Sequence, residues 1–283
     1  MNKTNNLEYI PCPLCLEEHS TNWGNENGFL AVKCQKCGLV YVNPRPNMEH
    51  ISEAVKSGVH SLETNSINVV TRRIQSKVKQ YEKIFSKIYK EDWQKNQPIS
   101  WLDIGAGFGE IVEAVALIAP KGSNIEGIEP MEPKVEVAQK LGLSVQVGYL
   151  NMVTKKYDYV SLINVFSHLP NFHEFLVDVK KVLNKNGEIL IETGNAGEFE
   201  RKYIPGVLSL PDHLVFAGEQ NLRGFLTLAG FEIISVHRFR VDGVINFMKN
   251  IVKKILNRQI PLTLPYTSPY RSLIIRAKLS ANI

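Results

Sequence analysis

The stretch Leu102-Asp-Ile-Gly-Ala-Gly-Phe-Gly-Glu110 decides how this chain reads. An apolar run from Ile99 to Ile104, interrupted by Ser100 and Asp103, predicts a buried strand. It enters Gly105-Ala-Gly-Phe-Gly109 and then a helical pattern from Ile111 to Ile118. Strand, glycine turn and helix together form the corner at which open α/β sheets bind nucleotides. Glycine belongs there because the turn takes backbone angles that a Cβ forbids and because a ligand must lie against bare main chain. The dinucleotide fingerprint G-x-G-x-x-G would place its third glycine at Glu110, which argues against a nicotinamide cofactor.

The next elements extend the same pattern. Asn124-Ile-Glu-Gly-Ile-Glu129 reads as a second strand ending in a carboxylate 24 residues after Gly105. A carboxylate at that place accepts hydrogen bonds from ribose hydroxyls, whichever adenosine cofactor is bound. A helix over Pro133 to Leu141, a strand over Ser144 to Val147 and the turn Gly148-Tyr149-Leu150 follow. Tyr157 to Asn171 reads as a fourth strand and its loop, with Asn164 at the strand's carboxyl end and His168 beyond it. Helices over Phe172 to Leu183 and Glu219 to Ala229 then flank strands over Glu188 to Thr193, Gly230 to His237 and Ser272 to Leu279.

The D-x-G-x-G-x-G sequence at Asp103, Gly105, Gly107 and Gly109 resembles motif I of the class I S-adenosylmethionine (SAM)-dependent methyltransferases. Tyr157-Asp-Tyr-Val, with Val165 and His168 downstream, resembles that family's fourth strand and loop. The resemblance covers about residues 98 to 240. It implies a Rossmann-like α/β fold, a seven-stranded methyltransferase sheet with helices on both faces and an antiparallel final strand. It also implies that SAM is held by Asp103, Gly105, Gly107, Gly109, Glu129, Tyr149, Leu150, Asn164 and His168. Asp103 would help to orient the cofactor's amino group. His168 is read either as a pocket residue or as a packing and helix-entry residue.

All four cysteines fall in the first 37 residues, as Cys12-Pro-Leu-Cys15 and Cys34-Gln-Lys-Cys37, with 18 residues between the pairs. This spacing fits a Cys₄ zinc site in which no position is left for water or substrate, so the metal would be structural. Disulfides are the competing reading, and they sit badly with a start, Met1-Asn-Lys-Thr-Asn-Asn, that lacks the apolar core of an export signal. Phe29 to Lys33 and Leu39 to Val42 read as a zinc-ribbon hairpin, which Asn43-Pro-Arg-Pro46 ends because prolines discourage pairing. Too small to bury much apolar surface, such a module would need its metal to fold. Cys37 to Pro46 resembles the N-terminal metal module of bacterial methyltransferases that act on sugars, including nucleotide-sugar C-methyltransferases.

A helical stripe through Val70, Ile74, Val78, Tyr81, Ile84, Phe85 and Ile88 predicts a bridging helix over 67–89, flanked by lysines and arginines. Three units are therefore expected: a zinc ribbon at 1–46, a helical linker or cap at 47–97 and a methyltransferase domain at 98–283. Asp212-His213 stands where the sugar C-methyltransferases have Glu-His at the active site. His213 is accordingly read as the general base, against a helix-capping role, with Asp212 and Tyr203 as orienting groups.

Composition is that of a globular chain, 283 residues with 44% hydrophobic and 22% charged residues. The charge of +5 permits nucleic acid, phosphorylated substrates or a membrane surface without choosing among them. A cytoplasmic location is the default expectation. The apolar and lysine-rich segment 244–258 reads as a cover for the sheet, a dimer contact or a membrane-surface helix. The function so reached is methyl transfer to a small molecule or carbohydrate, such as a nucleotide-linked or lipid-linked sugar. The alternatives are an RNA methyltransferase that uses the ribbon and the basic helix, and a non-catalytic scaffold.

Overall fold

The structure is a computed structural model, and it describes residues 6–61, 66–68, 72–204, 206–239, 244–256 and 272–280. Val70 of the predicted stripe and residues 257–258 at the end of the segment 244–258 lie outside the described residues.

The main sheet has seven strands, numbered here β1 (Ser100–Ile104), β2 (Asn124–Glu129), β3 (Val145–Val147), β4 (Tyr157–Ile163), β5 (Leu183–Gly194), β6 (Phe231–Phe239) and β7 (Ser272–Leu279). Their spatial order is β3-β2-β1-β4-β5-β7-β6. The first five are parallel, and β7 enters antiparallel between β5 and β6. The α/β fold with its antiparallel last strand is thus the one expected.

Alternation along the strands builds two cores. On β1, Leu102 and Ile104 face one core and Trp101 the other; on β7, Leu273, Ile275 and Ala277 oppose Ile274 in the same way. The first core takes in α5 (Phe172–Val182) and α6 (Glu219–Leu228) through Phe172, Leu176, Leu222 and Phe225. The second takes in α2 (Gln75–Ile88) and α3 (Glu110–Ala116) through Val78, Tyr81, Phe85, Ile111 and Val115. A smaller cluster seats α4 (Glu132–Lys140) by Val135 and Ala138 beside β3.

The bridging helix is shorter than its periodicity predicts. α2 begins at Gln75, whereas Ser66–Asn68 is a strand paired antiparallel with Val59–Ser61. Backbone pairing in this hairpin overrides the helical stripe at that end. An unpredicted helix, α1 (Met48–Ser57), precedes the hairpin. Asn47 caps it by accepting the His50 N–H at 3.0 Å, an interaction worth about 1 kcal/mol, and Gly58 ends it in a left-handed conformation.

The cysteine-bearing hairpin also gains more than its sequence suggests. Phe29–Cys34 and Val40–Val42 pair as expected, Ser20–Glu26 adds on one side, and Val215–Phe216 from far along the chain adds on the other. Arg45–Pro46 pairs with Leu7–Glu8, so the two prolines end the ribbon sheet without preventing a short ladder. Among the described residues no helix is long and apolar enough to cross a membrane.

Candidate active site

One cavity of about 640 Å³ opens at the carboxyl ends of β1, β2 and β4. Its floor is built by the glycine turn. Gly105 and Gly107 line it, both at positive φ (69° and 57°), and Gly105 and Ala106 donate their N–H groups to the Ile128 carbonyl at 2.9 and 3.0 Å. A Cβ on Gly105 would stand 2.6 Å from Val165, whereas one on Gly107 would meet nothing within 4 Å, so Gly107 presents bare backbone to open space. Gly109 does not line the cavity. It precedes α3 at φ 80°, where a Cβ would stand 2.6 Å from Leu143, so close packing there needs a glycine.

Glu129, buried at the end of β2, lines the cavity. Its Oε2 accepts the Gly107 N–H at 2.9 Å and its Oε1 the Met131 N–H at 3.1 Å. Each oxygen keeps a lone pair for a ligand hydroxyl. Tyr149 and Leu150 line the same side, and Asn164 enters from the end of β4 with φ 59°. Asn164 donates to the Tyr81 hydroxyl at 3.3 Å, and Tyr81 donates to Glu192 at 2.7 Å, so α2 helps to hold the cavity floor.

Asp103 lies beneath this floor and does not line the cavity. It is buried and accepts from Ser161 Oγ at 2.5 Å, while Ser161 accepts from Trp101 Nε1 at 2.9 Å. Burial, helped by the nearby Glu129 and Glu110 carboxylates, raises its pKa to about 8 against the pull of the Ser161 bond.

The opposite wall begins with elements that the sequence reading passed over. Ile51, Ala54 and Val55 of α1 line it, and Gly58 lies so close to Met131 that a Cβ would come within 2.6 Å of its Cε. His60 follows from the hairpin, and His168, Pro211, Asp212 and Leu214 complete the wall. The Asn47 cap, the spacing of Ile51, Ala54 and Val55, and Gly58 at the end were a readable helix signal. His60 had no local signal, because its partner Asp212 is remote in sequence.

Asp212 is held between two imidazoles. His60 Nε2 is 3.0 Å from its Oδ1; His168 Nδ1 is 3.3 Å from the same oxygen and 2.9 Å from the Asp212 main-chain oxygen. Burial opposes the charge, but these two hydrogen bonds outweigh it and hold Asp212 well below the usual carboxylate range. His213 does not line the cavity. Its ring packs edge-on between His168 (4.8 Å) and Phe216 (5.8 Å) and bonds the Leu208 main chain, and burial lowers its pKa. Tyr203 is exposed beneath the Lys202 ammonium and also lies off the cavity. Of the three residues read as a catalytic set, Asp212 and His213 have polar atoms within 4.8 Å of one another, but only Asp212 lines the cavity.

The four cysteines do come together, with all sulfurs within 4.8 Å of one another. Cys12 and Cys37 are 3.5 Å apart and Cys15 and Cys34 are 3.6 Å apart, close to the ~3.8 Å edge of a tetrahedron with zinc–sulfur bonds of about 2.3 Å. The residue after each pair, Leu16 and Gly38, has positive φ, so the two knuckles share one backbone shape. The hydrogen bond between Cys12 and Cys37 lowers the pKa of the first thiol and raises that of the second.

Residues 72–236, more than half of the chain, match the family described as "Methyltransferase domain". The chain belongs to that family. Its catalytic unit is accordingly that of a SAM-dependent methyltransferase. Among curated proteins, the chain is 29% identical over 137 residues to a ubiquinone biosynthesis O-methyltransferase of Rickettsia prowazekii, covering 45% of this chain and 51% of that one. The chain thus spans about half the length of the curated relative. Among solved structures, the YcgJ protein of Bacillus subtilis superposes with a TM-score of 0.50 at 15% identity, over 72% of this chain and all of that one. The PH0226 protein of Pyrococcus horikoshii gives 0.50 at 14%, over 74% and 92%. These two likenesses concern the fold.

Proposed function

We propose that the protein transfers a methyl group from SAM to a small-molecule acceptor. The observation that carries this reading is the single cavity joining a cofactor half to an acceptor half. The cofactor half is Gly105, Gly107, Glu129, Tyr149, Leu150 and Asn164; the acceptor half is α1, His60, His168 and the 211–214 segment. SAM supplies an electrophilic methyl on a sulfonium, so the chain needs no nucleophile of its own. Glu129 would hold the ribose, the Gly107 backbone would admit the methionine portion, and Asp103 would act through the floor on the cationic amino group.

The acceptor half is walled mainly by apolar side chains, among them Met48, Ile51, Val55 and Phe175. Among the described residues, Lys134 is the one lysine or arginine lining the cavity, beside the carboxylates of Glu129, Asp178 and Asp212. This lining favours an acceptor with an apolar body and a hydroxyl over one carrying a diphosphate. A ring or lipid-linked sugar hydroxyl suits it better than a nucleotide-linked sugar. The name of the Rickettsia relative supports an oxygen acceptor, and the resemblance of Cys37 to Pro46 supports a carbohydrate one. RNA, which needs phosphate contacts from lysine and arginine, finds few in this lining.

We also assign a structural zinc ion to Cys12, Cys15, Cys34 and Cys37, supported by the sulfur spacings. The ribbon is docked on α6: Asn221 donates to the Cys37 carbonyl at 2.7 Å, and Leu14 packs beside Gly224. It would serve the catalytic unit as a brace rather than as a free arm.

The test is transfer of labelled methyl from SAM to three pools offered in parallel: hydroxylated aromatics, sugars free and nucleotide-linked, and total bacterial RNA. Label in either of the first two supports the small-molecule reading and separates its two branches. Label in RNA alone overturns it.

A further inference from the structure

We infer that His168 is the general base for the acceptor hydroxyl, and that Asp212, clamped by His60, is its positioning residue. The inference rests on the methyltransferase reading of the cavity and deepens it.

Hydrogen-bond chemistry dictates the tautomer. A carbonyl oxygen can only accept, so His168 Nδ1, at 2.9 Å from the Asp212 carbonyl, carries the proton. The lone pair then lies on Nε2, on a ring that lines the cavity. His60 Nε2 likewise donates to Asp212 Oδ1, the oxygen 3.3 Å from His168 Nδ1. Among the described residues Asp212 pairs with two imidazoles, so its charge is available to an imidazolium formed at His168. A base whose distal nitrogen is held by a carboxylate is the arrangement that fixes a tautomer and stabilises the protonated ring.

The three groups come from distant parts of the chain, the hairpin, the loop after β4 and the segment before Val215. Leu214 joins two of these places, donating to the Ser167 carbonyl at 2.7 Å and accepting from Val42 at 2.9 Å. The remaining histidine of the cluster, His213, is tied to Leu208 and lies off the cavity, so it supports the wall without touching an acceptor. In the reaction the acceptor oxygen forms a bond to the methyl carbon as the carbon–sulfur bond breaks, its electron pair staying on sulfur. The acceptor proton moves to His168 Nε2 and then to solvent, so charge and atoms balance.

Phenols of graded acidity test this without knowledge of the natural acceptor. With phenol, which needs a base at pH 8, His168→Ala lowers transfer at least about 100-fold. With 4-nitrophenol, already ionised at that pH, the same variant stays within about fivefold of wild type. For the positioning residues, His60→Gln, which keeps a donor toward Asp212, retains most phenol transfer, while His60→Leu and Asp212→Ala lose it about 10-fold or more. Equal losses with both phenols, or none, overturn the assignment. If wild type methylates neither phenol, nitrogen-15 spectra of the histidines in the intact protein decide instead. A proton on His168 Nδ1 upholds the assignment; a proton on Nε2 in wild type overturns it. SAM binding measured beside these assays separates failure of the methyltransferase reading from failure of the base.

Discussion

Glu129 and Gly107 are joined by a hydrogen bond of 2.9 Å from the glycine N–H to Oε2 of the carboxylate. It links the end of β2 to the turn after β1, so the carboxylate proposed to hold the ribose and the backbone proposed to admit the rest of the cofactor are tied to one another. The Met131 N–H holds the other carboxylate oxygen, which leaves Glu129 little rotational freedom. Preorganisation of this kind reduces the ordering cost of binding.

The glycines of the turn should separate cleanly by substitution. Gly107→Ala meets no atom and incurs only the strain of a left-handed residue, about 1 kcal/mol, yet it places a methyl in the cavity floor. It should leave Tm within a few degrees and weaken SAM binding about 10-fold or more. Gly109→Ala clashes with Leu143 and Ala138, so it should cost about 2–3 kcal/mol of stability, measured by denaturant unfolding.

Asp103 should give SAM binding a pH dependence. Its pKa near 8 means that the empty site holds it protonated at pH 7, whereas the cofactor's ammonium favours the ionised form. Binding should therefore release a proton and tighten as pH rises from 6 to 8, which calorimetry in buffers of different ionisation enthalpy detects. The sign for folding is opposite. A carboxyl whose folded pKa lies above its ordinary value loses stability as pH climbs from about 4 to 8. Asp103→Asn should accordingly raise the Tm of the cofactor-free protein at pH 8 and weaken SAM binding about 10-fold.

Removing zinc should disable the enzyme from a distance. The ribbon holds the acceptor wall through Val42 and Leu214 and through Glu26, which accepts from the Leu208 and Ser209 N–H groups at 2.6 and 2.7 Å. Cys34→Ser should lower Tm by about 10 °C and reduce transfer more than it reduces SAM binding. Elemental analysis should find one zinc per chain. Two would point to a second ion among His168, Asp212 and His213, whose ligand atoms lie within 4.8 Å.

Legibility in the sequence followed the range of the interactions. β1, the glycine turn and Glu129 were readable because their spacing is local and because only glycine fits φ values near 60–70° beside Val165. The cysteine cluster was readable because each knuckle is a four-residue unit. The His60–Asp212–His168 arrangement was not, since a side-chain contact across 152 residues leaves no periodic trace. The resemblance singled out Asp212-His213, and of the two only Asp212 lines the cavity. His213 turns to Leu208 and Phe216, while Asp212 turns to the cavity. The start of α2 was misplaced because Ile67, the first residue of the predicted helix, pairs instead with His60 across a hairpin.

The most direct test of the central claim, that the cavity over Gly107 and Glu129 binds SAM, is isothermal calorimetry with wild type and Glu129→Ala. Wild type should bind one SAM per chain, and the variant should bind at least about 10-fold more weakly while keeping its Tm within a few degrees. Equal affinity for the two proteins, or no binding by either, would contradict the account.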